Sequence, residues 1–234
     1  MTSATTNGIM PPPPLQVSVD RFVRALETSH KLLRLHPRKQ GNPGNSAALS
    51  PAVVLGSIAA FEGFAEDFTA LAMANAGSSF AEIAKKVGAW NNPDLRQFST
   101  HMSSYFPAAK QAIAVGSSID IFMCPYPGRN TWVWKARSWN DALDDANSWM
   151  QVRHLLTHGL TTGWRSEWWP GPLRPTDSPA ANVLQDKGSG KHSLVIHGAI
   201  SCARIYSRGA QSVADAVAST QGQQLDWSKM PDFD

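Results

Sequence analysis

Arg153, His154 and His158 fall close together in the run Arg-His-Leu-Leu-Thr-His-Gly that begins at position 153, and these residue types suit phosphodiester chemistry. A guanidinium stays charged at any physiological pH and grips a phosphate through a planar fork of donors, stabilising the charge that develops on it. An imidazole moves protons near neutrality. His154 and His158 are four apart, so they lie a turn apart on one flank of a helix, and at a helix C-terminus the macrodipole favours the protonated ring. His158 reads as the proton carrier and His154 as a helper or RNA contact.

The element that positions them is a helix from Ser138 or Asn140 to His158, with a capping residue at its start and Gly159 to stop it. Ala142, Ala146, Trp149, Met150 and Leu156 share one face of its wheel, and Arg153 falls at the centre of that face. A cation there needs a partner, because an isolated buried charge is very costly. Glu62 and Glu66 of an earlier helix are the supporting candidates, Glu62 lying at the edge of that helix's apolar stripe four residues after Ile58. Leu155 falls nearly opposite the apolar face, among Asn147, Ser148 and Gln151, which predicts an exposed leucine suited to a subunit contact. Asp141, Asp144 and Asp145 are explained by the helix dipole rather than by a metal, since no histidine or glutamate complements them at ligand spacing. No cofactor is implied.

The rest of the chain reads as helices around one core. Residues 1–15 form a disordered, proline-rich tail. Turn-spaced Phe22, Leu26 and Leu33 predict a helix from Val17 that Pro37 ends. Ser50 and Pro51 open a second, running to about Ala76, whose Val54, Ile58, Phe61, Ala65, Phe68 and Ala72 make a continuous stripe. Ser79 with Glu82 is a capping-box pattern. Asn92 with Pro93 opens a further helix to about Tyr105, and Ser193 to Ala218 reads as the last one, weakened at Gly198 and Gly209. The strings Ile119 to Phe122 and Thr131 to Trp134 are β-prone, and whether they form strands stays open. Residues 160–191 read as a long loop carrying Trp164, Arg165 and Arg174, which suit base stacking and phosphate contact, and residues 219–234 as a C-terminal tail.

At 42% hydrophobic and 17% charged, the 234 residues have an ordinary globular composition, and a net charge of +3 tolerates a polyanionic partner without requiring one. Two cysteines, Cys124 and Cys202, are too few for a disulfide framework and lack zinc-site spacing. The N-terminus has no signal-peptide pattern, and no uninterrupted apolar run is long enough to span a bilayer, so a cytoplasmic location without membrane attachment is expected.

The run from Arg153 to His158 resembles the HEPN signature: an arginine, a polar residue, a few mostly apolar ones, and a histidine at a helix end. Acidic residues within Phe61 to Asp67 on an earlier helix, Trp132, Trp134 and Trp149 leading in, and a helix afterwards fit the same context. Arg96 and His101 repeat the spacing on another predicted helix, but there no glycine follows and no long amphipathic helix ends. The resemblance implies an all-α bundle of about five to six helices over residues 16–218, working as a homodimer. It implies an endoribonuclease that uses the substrate's 2′-hydroxyl as nucleophile, with Arg153 and His158 catalytic, serving as a toxin or antiviral-defence effector that meets an antitoxin or other defence partner. Independence from metal is the reading of the residues themselves, which supply a proton carrier and an arginine and no ligand set. A dimer also answers a geometric difficulty. Residues five apart on a helix point roughly 140° apart and sit roughly 7.5 Å apart along its axis, so one helix serves a single phosphate poorly. The other reading is a non-catalytic module of the same kind that binds RNA, a nucleotide or a partner protein.

Overall fold

The computed structural model describes residues 11–38, 44–123, 132–158, 183–186 and 192–234. Among these the chain is mostly helical, with seven α-helices: α1 (Gln16–Leu35), α2 (Leu49–Asn75), α3 (Phe80–Val87), α4 (Leu95–Tyr105), α5 (Lys110–Val115), α6 (Trp139–Thr157) and α7 (Ile196–Thr220). A hairpin of β1 (Ile119–Met123) and β2 (Val133–Arg137) lies between α5 and α6, and a two-residue ladder of β3 (Gln185–Asp186) and β4 (His192–Ser193) precedes α7. Of the β-prone strings, Ile119 to Phe122 lies within β1, while Val133 and Trp134 of the second begin β2 and Thr131 lies outside the described residues; the strands are antiparallel with Ile119 opposite Arg137 and Met123 opposite Val133.

α2 is the centre of the bundle. Its stripe of Val54, Ile58, Phe61, Ala65, Phe68 and Ala72 is fully buried, as the turn spacing requires. Burial extends to Val53, Phe64 and Met73 because α1, α4, α6 and α7 all pack around it. Contacts of Phe22 with Phe64, Arg21 with Asp67 and Ser29 with Gly56 run in opposite chain directions, so α1 and α2 are antiparallel. Phe61, Phe64, Phe68 and Phe98 meet edge-on or tilted, the arrangement that ring quadrupoles favour. By length and composition the stretch Asn45–Asn75 is apolar enough to cross a membrane, with a mean hydropathy of 1.5 in its best window. Polar and acidic residues interrupt it, and its buried apolar side chains here belong to the bundle core.

Several boundaries differ from the sequence reading for physical reasons. α2 starts at Leu49, continuous with a 3-10 turn over Gly44–Ala48, so Ser50 lies inside the helix and caps nothing. Pro51 still sits in the first turn, where its missing N–H costs little. Asp94 rather than Asn92 caps α4, closing a box with Gln97, while the Ser79 and Glu82 box forms as expected. Residues 221–234 are not a loose tail. Met230 and Phe233 are buried, Gln221 donates to the Ala72 carbonyl of α2, Gln223 accepts from the Leu15 amide, and Asp232 pairs with Arg204 at 3.2 Å. The N-terminal tail is likewise anchored at its end, where Leu15 is fully buried and the Pro13 carbonyl accepts from Asn75. Residues 1–10, and the long loop of 160–191 apart from 183–186, lie outside the described residues.

Candidate active site

α6 begins where Ser138 accepts a hydrogen bond from the Asp141 amide, and its acidic first half is fastened from outside. Arg137 grips Asp145 in a two-pronged contact of 2.8 and 3.0 Å, and Arg96 of α4 meets Asp144 at 2.6 Å. The apolar face then seats the helix: Ala142, Ala146, Trp149 and Met150 are buried, and Leu156 is half-buried. The hydroxyl of Tyr206, on α7, donates to the Ala146 carbonyl at 2.8 Å. Gly198 leaves room for the Trp149 indole, whose Cζ2 and Cη2 would lie within 3.7 Å of any Cβ placed there.

Arg153 follows on this face, and its guanidinium reaches Glu62 of α2, Nη2 to Oε2 at 3.3 Å. The two side chains are 22% and 16% exposed, so the pair sits in a partly desolvated setting where Coulomb attraction is stronger than at the surface. Glu62 uses one oxygen for this contact, and its Oε1 is buried with no hydrogen-bond partner. Burial pushes the Glu62 carboxyl above its ordinary value; Arg153 opposes that rise, and the charge of Glu66 adds to it. Glu66 itself is exposed and forms no ion pair with Arg153 among the described residues, so its link to the site runs through Glu62. Tyr206 is the residue the sequence reading missed. It is fully buried against Phe61, its hydroxyl is pushed well up by burial, and both Glu62 and Arg153 act on it electrostatically. A lone tyrosine in the small-residue run of α7 was the available signal.

His154 places Nδ1 3.5 Å from Arg153 Nη1, at the outer limit of a hydrogen bond. His158 is the C-cap of α6, an exposed residue whose backbone N–H donates to the His154 carbonyl at 3.2 Å. Gly159, Trp164, Arg165 and Arg174 lie outside the described residues. Leu155 corrects the sequence reading: it is 4% exposed, and Ser148 and Gln151 beside it are buried as well. α6 packs against α2, α4 and α7 together, so no side of its middle faces solvent in the way a single-faced wheel assumes.

The competing match separates in space. Arg96 is engaged on the surface by Asp144, while His101 stands between Trp90 and Tyr105 in a stack of rings. Cys202 is a buried thiol whose pKa burial pushes well up, which makes it inert packing rather than a nucleophile. Among the described residues no three His, Cys, Asp or Glu side chains gather as a metal site. The chain matches no known family model, and no curated protein or solved structure shows significant similarity to it.

Proposed function

We propose that the chain is a metal-independent endoribonuclease of the HEPN type, acting at the C-terminal end of α6. The observation that carries the reading is Arg153: a guanidinium on the core-facing side of its helix, fixed by Glu62, with His154 beside it and His158 exposed at the helix end. Glu62 orients the fork while leaving other N–H donors for a phosphate. In the reaction the 2′-hydroxyl loses its proton as its oxygen attacks phosphorus, the bond from phosphorus to the 5′-oxygen breaks, and that oxygen takes a proton. His158 carries one of these transfers. In a homodimer with paired helix ends, the second copy's His158 carries the other, and Arg153 stabilises the charge on the phosphoryl oxygens. A role in toxin or antiviral defence, with an antitoxin or other partner protein, follows from the resemblance of the motif and belongs to the same proposal.

The test is incubation of purified protein with total RNA in EDTA. Fragments bearing 2′,3′-cyclic phosphate or 3′-phosphate ends are expected, with none from Arg153→Ala or His158→Ala and undiminished cutting by Arg96→Ala. Cutting of DNA at a similar rate, or rescue of EDTA-treated protein by a divalent ion, refutes the mechanism. RNA binding without cleavage by the wild type would instead favour the non-catalytic reading.

A further inference from the structure

Away from α6, the helices α3 and α4 enclose a cleft of about 400 Å³ whose lining includes Lys85, Lys86, Trp90, His101 and Tyr105. Its aromatic members form a ladder. Trp90 and His101 stack at 4.9 Å with planes 18° apart, and His101 and Tyr105 continue it at 5.8 Å and 22°. Lys86 rests its ammonium 4.3 Å from the centre of the Tyr105 ring, a contact that an exposed, flexible lysine gives up readily to a better partner.

Three further features mark the cleft as a site rather than loose packing. First, Trp90 is only partly exposed and is held edge-on by Phe98 at 6.4 Å, so its ring is a fixed wall of the cleft. Second, burial lowers the pKa of His101, so its ring is neutral at neutral pH and offers both a donor and an acceptor. Third, Glu82, the one acidic lining residue, is already committed: its Oε2 accepts from the Ser79 amide at 2.8 Å and the Ser79 hydroxyl at 2.9 Å. Those hydrogen bonds keep Glu82 ionised, and the two lysines outweigh its charge, so the mouth is net positive. α3 can also yield, because none of its residues is fully buried and Phe80 at its start is 86% exposed.

We propose that this cleft binds a single nucleotide unit, its base on the face of Tyr105 that Lys86 covers, at the end of the ring ladder, and its phosphate on Lys85 and Lys86. Flat rings select a flat ligand over an aliphatic one, and two ammonium groups select an anion. The volume lies at the small end of the range for ligand pockets, about 300 to 1,000 Å³, which admits one nucleotide and excludes a duplex. The unit comes either from a free nucleotide or from a base splayed out of single-stranded RNA. The RNA source rests on the ribonuclease reading above, and the free source does not.

Calorimetry with AMP, adenosine and inorganic phosphate tests the site directly, and fluorescence anisotropy with a labelled hexa-adenylate on the Arg153→Ala/His158→Ala chain tests the RNA source. AMP is expected to bind, adenosine about tenfold more weakly, and phosphate alone more weakly still. Loss of one stacking ring in Tyr105→Ala should weaken AMP at least about fivefold, with Tyr105→Phe restoring it and thermal melts confirming that both fold. Lys85→Gln with Lys86→Gln should weaken AMP and flatten its salt dependence. If the same changes weaken hexa-adenylate, RNA is the source; if they weaken AMP alone, the free nucleotide is. Absence of AMP binding at millimolar concentration overturns the proposal, as does binding indifferent to these substitutions or phosphate binding as tight as AMP. Loss of RNA cleavage by the wild type would leave the AMP result standing, so the two readings fail separately.

Discussion

Removing the charge of Glu62 tests whether Arg153 is held as the structure indicates. At 3.3 Å the bare attraction is about 1 kcal/mol in water-like surroundings and about 5 kcal/mol at an effective dielectric near 20. The two side chains are 22% and 16% exposed, which places the pair between those limits. Against the attraction stands the desolvation of Glu62, strong enough that its carboxyl stays above its ordinary value even beside the arginine. The pairwise attraction, which a double-mutant cycle isolates from the desolvation, is about 2 kcal/mol, and in a chain of this size each kcal/mol moves the melting temperature by about 2–4 °C. Arg153→Gln, which strands the Glu62 carboxylate, should lower Tm by about 4–8 °C. Glu62→Gln should lower it less, because it also removes the desolvation cost, and the double variant should melt well above the temperature that adding the two losses gives. Thermal denaturation of the four proteins at neutral pH measures the cycle. Losses that add to within about 0.5 kcal/mol would refute the pairing, because uncoupled sites behave that way. If the chain cleaves RNA as proposed, Glu62→Gln in the same series should retain a fraction of that cleavage and Arg153→Gln none, since the carboxylate would position the group proposed to meet the phosphate.

Gly209→Ala should destabilise by about 1–3 kcal/mol despite the better helix propensity of alanine, because the added Cβ meets the Leu95 side chain, with Cδ1 at 2.8 Å; urea denaturation would detect it, and a gain in stability would contradict the close approach. Phe233→Ala should cost about 3 kcal/mol by emptying a fully buried site against His30, which a truly loose tail would not show. Stability should also depend on pH in a defined direction. His36, His101 and His197 are held below the ordinary value of 6.5, chiefly by burial. The unfolded chain therefore takes up protons first as pH falls through 6.5, and stability is lost until the lower folded values are reached. Glu62, Asp94, Asp145 and Asp215 are raised by burial, so their contribution has the opposite sign and appears at lower pH, as the native state protonates before the unfolded one. Melting temperatures should fall as pH drops through 6.5, and His101→Phe should make that fall shallower.

The parts of the fold that a sequence discloses are those whose cause is local. The stripe on α2 was legible because six apolar side chains repeat at helical spacing and all six are buried. The Ser79 box was legible because capping acts across three residues. Leu155 was misplaced for the complementary reason: a wheel assigns one wet face, and α6 is enclosed by three helices along its middle. The C-terminal segment was misread because what holds it is distant. Gln223 meets Leu15 across 208 positions and Gln221 meets Ala72 across 149, and no local pattern announces either. Gly209 read as a weak point of its helix, whereas its missing Cβ is what lets α7 approach α4.

The candidate site shows where spacing stops informing and environment takes over. Arginine followed five positions later by histidine occurs twice, on α4 and at the end of α6, and the spacing alone does not separate the two. Burial does. Arg96 is 47% exposed and meets an aspartate that is itself 75% exposed, a surface contact worth little. Its histidine is turned into a stack of rings. Arg153 has less than half that exposure, and its carboxylate comes from a helix 91 positions earlier. The sequence could nominate Glu62 because one turn beyond Ile58 puts a carboxylate at the rim of a buried stripe, where an acidic side chain is costly unless a cation meets it. A carboxyl kept in such a place, raised by desolvation and with one oxygen unpartnered, stabilises the fold less than an apolar residue of the same shape would. What it supplies instead is a fixed direction for the Arg153 guanidinium, and that is the property the proposed phosphate contact at the end of α6 requires.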